Sequence, residues 1–494
     1  MLVASGDKKI CKEIARVVEK LGQVLGQSRF FGIGWRWSKE TLVDRLSALP
    51  DCLIIHILSR LEVKQSAITA LLSKRWQFLW TQSPRLIFIQ KSDADIQDFV
   101  SRVNRTLVIY EQNDLDTFEV EFPYSKSYSP DVDVWVGFAV KSKAKQVSLL
   151  LNQYFDDEEE DEEENKMYTL PRTMFRCAQL KRLTLRGCVV APLGTIEWPS
   201  LTELSIEDSK LEQHVMGEML SGCPVLRCLV LICCWGFTRL EVSSKSLYEL
   251  RVSDPEHNEE GSFLELEPFL QISAPYLHNL SVTLCPKQRK LCLENTSSLV
   301  KATLDFVIGD WESREDRISD AKELFEKIRH VKVVHLGYIY MEVCVAAIKN
   351  YRFPQSAQTC LTVKVVTKEC CIHVLLGLLE SSPNLESLVI EGDGAHSNWG
   401  PCTCLGSKTD LDCDLLHLKS IVIKDFIDKF KLVGGEPMLT LAKILLNKAP
   451  ALEKMVVHDK IFKSSSKSAV NRPFKIAQKL LSYPGSSKAV ILLK

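Results

Sequence analysis

Residues 180–188 read LKRLTLRGC, with Leu180, Leu183 and Leu185 at the first, fourth and sixth places. The same spacing returns at Leu201/Leu204/Ile206, Leu226/Leu229/Leu231, Leu247/Leu250/Val252 and Leu277/Leu280/Val282. Looser copies follow at Leu299/Ala302/Leu304 and Val331/Val334/Leu336. Clear ones close the set at Leu385/Leu388/Ile390, Leu418/Ile421/Ile423 and Leu452/Met455/Val457. The first six start 21, 25, 21, 30 and 22 residues apart. The last two members of each set alternate with other residues, as in a strand that buries one face.

Self-similarity at this period points to a leucine-rich-repeat solenoid, in which each strand buries its inward residues against the next. Such a turn wants a small side chain three residues after the strand ends its apolar pair, and Cys188, Ser209, Cys234 and Cys285 stand there. Proline two residues before the repeat leucine (Pro199, Pro224, Pro275, Pro383, Pro450) closes a returning segment and starts the next strand. Helical text at 214–220, 372–379 and 439–446 precedes some of them, so the expected unit is strand, turn, helix, proline, strand. The fold class is α/β: a curved right-handed array with parallel strands on the concave face and helices outside. Toward the N-terminus, Thr117–Phe122 and Gln146–Leu151 alternate as half-buried strands and read as early, irregular repeats. Between them and the first clear repeat, Asp156 to Glu164 is an unbroken acidic run, expected to be a solvated, disordered loop.

Ahead of the array, residues 49–80 read LPDCLIIHILSRLEVKQSAITALLSKRWQFLW. Pro50 suits a first helical position, and Asp51 complements the helix dipole. Leu53, Ile54, Ile57, Leu58 and Leu61 gather on one helical face. A second helix is expected at 64–72 with Ala67, Ala70 and Leu71, and a third at 74–80, capped by Ser73, with Trp76, Leu79 and Trp80. So small a unit rarely hides this much apolar surface alone, and wants a neighbour or a partner.

Leu49-Pro50-Asp51, Ile57 to Leu61, Leu72 to Trp76 and Leu79-Trp80 resemble the F-box of plant F-box proteins, with Glu62 where many relatives have proline. The last third, with Trp399, Pro401, Cys402 and Cys404, the strand text LKSIVIKDF at 418–426, and Ala449 to Met455, resembles the FBD region of plant F-box proteins with leucine-rich repeats. The resemblance implies a helical module that docks the Skp-type adaptor of a Skp-cullin-F-box ubiquitin ligase, with cullin reached indirectly. It divides the chain into an extension at 1–43, helical or disordered, an F-box at 44–88, a solenoid at 89–380, an FBD-like region at 381–460 that extends and caps the solenoid, and a tail at 461–494.

The adaptor contact is placed on Leu49, Pro50, Ile54, Ile57, Leu58, Leu61, Leu71, Trp76 and Trp80, which the sequence alone does not divide between the partner and the module's own core. A protein target would meet the concave sheet, where Arg186, Glu207, Arg251, Asp305, His335, Glu391 and Lys424 point outward; an ordinary solvated face reads the same way. The chemistry is positional, so the chain is read as a non-catalytic receptor. A scaffold that titrates the adaptor and a solenoid that senses a small molecule are the alternatives.

A formal charge of −1 over 494 residues gives nucleic acid no general attraction. The N-terminal residues lack the form of an export signal, and no uncharged apolar run reaches membrane-spanning length. The expectation is a soluble cytoplasmic or nuclear protein whose 17 cysteines are reduced. Gly400 to Lys408 misses the phosphate-loop spacing. Cys402, Cys404 and Cys413 with His396 and His417 lack paired Cys-x2-Cys ligands. No metal or cofactor is expected.

Overall fold

The protein is described by a computed structural model that covers residues 49–92, 95–110, 114–153, 167–192, 194–254, 269–284, 290–306, 322–337, 353–365, 369–392, 411–424, 435–458, 478–480, 482 and 489–493. The readings made for 1–43, for the acidic run and for Gly400 to Lys408 lie outside the described residues, as do His396, Cys402, Cys404 and Cys285. The chain forms two compact units, Met1–Leu226 and Arg227–Lys494.

The first unit opens with helix α1 (Asp51–Leu58), helix α2 (Val63–Ile68) and a 3-10 turn at Thr69–Leu71. The expected third helix is instead a run of turns followed by a 3-10 segment, Leu79–Gln82. Trp76 and Leu79 are buried within this stretch, so packing sets its path. Ser73 is not a side-chain cap: its Oγ is buried with no hydrogen-bond partner among the described residues. Pro50 sits one place earlier than expected, as N-cap of α1, where its carbonyl accepts from Leu53 N (3.0 Å) and Ile54 N (3.1 Å).

Then come β1 (Arg85–Ile89), α3 (Ile96–Ile109), β2 (Thr117–Tyr124), α4 (Ser129–Lys141), β3 (Gln146–Gln153), β4 (Tyr168–Thr169), β5 (Arg182–Arg186), β6 (Cys188–Val189), β7 (Glu203–Lys210) and α5 (Gln213–Ser221). Strands β1, β2, β3, β5 and β7 pair in that order, all parallel. The register sets Leu183 against Leu204 and Leu185 against Ile206, so the repeated positions form continuous buried rows. Helices α3 and α4 are additions to the sequence reading. Phe99, Val100, Val103 and Leu107, then Val132, Trp135, Val136 and Ala139, are buried at helical spacing. Trp135 packs edge-on against Phe122 at 5.5 Å and donates its indole N–H to Asn104 Oδ1 at 2.6 Å.

The second unit carries β8 (Cys228–Trp235), β9 (Arg239–Glu241), β10 (Glu249–Ser253), β11 (Phe269–Ser273), β12 (Asn279–Leu284), β13 (Lys290–Glu294), β14 (Lys301–Phe306), β15 (Val333–Leu336), β16 (Cys360–Val365), β17 (Ser387–Gly392), β18 (Ser420–Lys424), β19 (Lys454–His458) and β20 (Val490–Leu493). Its main sheet pairs β8, β10, β12, then β14 to β20 in order, all parallel. Between β8 and β14 the returning segments are not the expected helices. They form a second parallel sheet, β9-β11-β13, burying Leu240, Leu270, Ile272, Leu291 and Leu293. Helices return at Glu369–Glu380 and Gly435–Lys448.

The turns follow one design. Gly187, Asp208 and Cys233 have left-handed φ values of 66°, 46° and 49°. The small residue after each reaches back to the carbonyl two places earlier: Ser209 Oγ to Glu207 O at 2.7 Å, Cys188 Sγ to Arg186 O at 3.5 Å, Cys234 Sγ to Ile232 O at 3.4 Å. That is the backbone need read from the sequence. Strand β16 escaped the leucine pattern because Gln358 holds the first repeat position. It is buried, with its Oε1 3.3 Å from Ser382 Oγ, and Ser382 Oγ lies 2.9 Å from Ser356 Oγ.

Candidate functional site: a helical docking surface and an outward sheet row

Helix α1 reads DCLIIHIL, apolar over most of its circumference, a pattern that calls for cover on more than one side. One side is the module's own core of Ile54, Ile57, Leu58, Leu61, Trp76 and Leu79, with Leu49, Ile55 and Trp80 packed against it. Arg75 fastens the start of α1 to the turn that carries it: Nε lies 2.9 Å from Asp51 Oδ1, and Nη2 lies 2.5 Å from Leu49 O. Ser66 Oγ donates to Leu58 O at 3.0 Å and joins α2 to the end of α1.

Of the residues read as adaptor contacts, Ile54, Ile57, Leu58, Leu61 and Trp76 are buried in this core, Leu49 and Trp80 are half-buried on it, and Pro50 and Leu71 are exposed. Exposed beside them are Leu53 (48 %), Leu72 (37 %) and Phe78 (64 %), which the sequence reading did not place at the contact. Leu53 was visible as a member of the apolar helix face. Phe78 carried no periodic signal, because it lies in a turn.

The outward sheet residues are held in pairs. In the first unit Arg186 stands opposite Glu207 in register, its Nε 2.8 Å and Nη2 2.5 Å from Glu207 Oε2, and Nη1 lies 3.2 Å from Asn152 Oδ1. In the second unit the register runs one row through Lys364, Glu391, Lys424 and His458. Lys424 Nζ meets Glu391 Oε1 at 2.6 Å, and Lys364 Nζ meets Asp305 Oδ2 at 2.6 Å. Gly337 is what lets Asp305 lean across: a Cβ there would lie 1.7 Å from Asp305 Oδ1. Arg251 Nε is 2.6 Å from Glu249 Oε1. His335 lies between Thr303 and Thr362 in register. Burial, and then Lys364, lower its pKa, with Glu391 and Asp305 opposing.

Among the described residues no group of three or more His, Cys, Asp or Glu side chains could hold a metal ion. No described helix is long and apolar enough to cross a membrane.

A small helical module with an uncovered apolar surface, followed by an array of parallel repeats, is the layout of a repeat-bearing F-box protein. Residues 46–88 match the F-box domain model, and residues 134–288 match the model described as FBD-associated F-box protein At5g56370, LRR repeats. Among relatives from Arabidopsis thaliana, the "Probable FBD-associated F-box protein At1g32375" is 25% identical over 452 residues, 89% of this chain and 96% of that protein. The F-box/LRR-repeat protein At3g03360 is 26% identical, covering 72% of each chain, and the F-box protein At5g03100 is 27% identical over 61% of this chain and 91% of its own. Over these residues the chain is similar to F-box/LRR-repeat proteins of the FBD-associated kind. F-box domains in general bind Skp1-type adaptors, and the family's general role is that of a non-catalytic substrate receptor of a ubiquitin ligase.

Proposed function

We propose that this chain is the substrate-recognition subunit of a Skp-cullin-F-box ubiquitin ligase, with the module at 44–88 on the adaptor and the repeats on a protein target. The observation that carries the reading is the apolar set Leu53, Leu71, Leu72 and Phe78, exposed together with Pro50 on a segment that matches the F-box. Full burial of a wholly exposed side chain of this kind gives about 1.5–3 kcal/mol, and these, 37–64% exposed, gain a share of that when covered. The residues buried beneath act by holding this surface in shape; Leu49 and Trp80 form its edge. Recruitment then works by proximity: tethering raises the target's effective concentration near the charged conjugating enzyme, and the bond is made there. Residues 381–460 extend and cap the array as its FBD-like region.

Affinity purification of the tagged full chain, against a version lacking residues 44–88, tests this. Adaptor and cullin should accompany the intact chain alone. Adaptor without cullin would favour a scaffold that titrates the adaptor, and neither with either bait would sink the ligase reading.

A further inference from the structure

The second unit carries an exposed surface that neither the helical module nor the outward row uses. At the entry end of its strands, Arg227, Tyr248, His278, Val300 and Lys332 each follow the first residue of a repeat and are all exposed. They succeed one another rung by rung: Tyr248 N donates to Arg227 O at 2.9 Å, His278 N to Tyr248 O at 3.2 Å, Val300 N to His278 O at 2.9 Å, and Val333 N, beside Lys332, to Val300 O at 3.0 Å. Tyr248 is 47 %, Tyr276 40 % and Val300 40 % exposed, an unusual run of large side chains left in water.

The rings are ordered in advance. Tyr248 stacks on the His278 imidazole at 5.0 Å with planes 20° apart. His278 Nδ1 lies 3.0 Å from the Tyr276 carbonyl, which can only accept, so Nδ1 carries the proton. Lys245 Nζ stands 5.6 Å from the Tyr276 ring centroid. Charge over these five rungs is one-sided; the row continues through Thr359 to Glu386, an exposed acid that is paired with Lys419. Arg227, Lys245, Lys301 and Lys332 are exposed, and none is ion-paired with a carboxylate among the described residues, while Glu249 is engaged by Arg251.

We infer that this strand-entry edge, Arg227-Tyr248-His278-Val300-Lys332 with Lys245, Tyr276 and Lys301, docks an acidic peptide segment of the target protein. This rests on the substrate-receptor reading and names the chemistry of its substrate. Preordered tyrosine and histidine rings offer contact area at little entropic cost. The flanking cations select for acids and speed encounter. A nucleic acid fits less well, because four cations on a chain of net charge −1 make a weak field for a polyanion.

The test places a photo-crosslinker, Tyr248→p-benzoylphenylalanine, in the full chain, with Val134→p-benzoylphenylalanine as the control on an exposed helix position. After irradiation in cell extract, the crosslinked peptides are sequenced and fluorescein-labelled synthetic copies are titrated onto purified full chain. Peptides joined at Tyr248 should be richer in Asp and Glu than those at Val134. Their copies should bind at least tenfold more weakly to Tyr248→Ala/His278→Ala and to Lys245→Glu/Lys301→Glu, and weaken steeply with salt. The substitutions are at exposed positions, and circular dichroism checks that each variant is folded. No crosslink at Tyr248, peptides no more acidic than the control, unchanged affinity in folded variants, or an oligonucleotide in the crosslinked band would each overturn the inference. Adaptor capture is scored on the same bait. Adaptor without acidic peptide removes this edge and leaves the ligase reading; acidic peptide without adaptor does the reverse.

Discussion

Replacing Gly337 by alanine should destabilise the second unit although it adds only one methyl group to a strand end. The new Cβ would lie 1.7 Å from Asp305 Oδ1, 2.4 Å from its Cγ and 2.8 Å from its Cα. Side chain and backbone must both move, and the Asp305–Lys364 bridge, whose partners are 21% and 27% exposed, must open. Overpacking of this kind costs about 1–3 kcal/mol, and the lost pair adds ~1 kcal/mol. Against this, alanine restricts the unfolded chain and returns about 0.4–1 kcal/mol. The net is a loss of about 1–3 kcal/mol, read as a fall of the melting temperature by roughly 2–12 °C at about 2–4 °C per kcal/mol for a unit of this size. Calorimetry of the full chain measures it. In an Asp305→Ala background the loss should shrink, because the side-chain clashes vanish while the one with the backbone of residue 305 stays. A neutral or stabilised Gly337→Ala, or an equal loss in both backgrounds, would refute the steric account.

Gly187→Ala places a side chain at φ 66°, and should cost about 1–2 kcal/mol of the first unit's stability in denaturant titrations. Burial pushes the thiols of Cys188 and Cys223 up to about 12, so at pH 8 iodoacetamide should label Cys52 and Cys413, which are exposed, and leave Cys188 and Cys223 unlabelled until the chain unfolds. His335 has its folded pKa below the ordinary 6.5, so the unfolded chain binds more protons as the pH falls through that value. Its contribution is full above pH 6.5 and is lost on acidification toward the folded pKa; His335→Gln should flatten that part of the stability profile.

The repeats were legible because a parallel array must bury the same strand positions in every turn, and leucine, isoleucine and valine mark them. The small residues after Gly187, Asp208 and Cys233 could be read for the same reason, since each serves one backbone carbonyl. Legibility failed where another chemistry met the same need. Gln358 fills a leucine place through buried hydrogen bonds, so β16 left no apolar mark. The returning segments of β9, β11 and β13 alternate too briefly to be told from loops beside a longer helix. Helices α3 and α4 were masked by the strand text around them. On the helical module the sequence supplied the apolar set but not its division. Ile54 and Leu53 are neighbours in the chain, yet one is fully buried and the other about half exposed, and only the path of the 73–82 segment decides which faces out.

The measurement that bears most directly on the account is titration calorimetry of purified Skp-type adaptor against the full chain and against Leu53→Glu/Phe78→Glu. Both changes lie on the exposed side of the module and leave its core untouched. The account predicts tight binding by the native chain and a loss of at least ~30-fold in the variant, from ~2 kcal/mol or more for removal of anchor side chains at an interface. Equal binding by both proteins, with the variant folded, would contradict a docking surface built on Leu53 and Phe78.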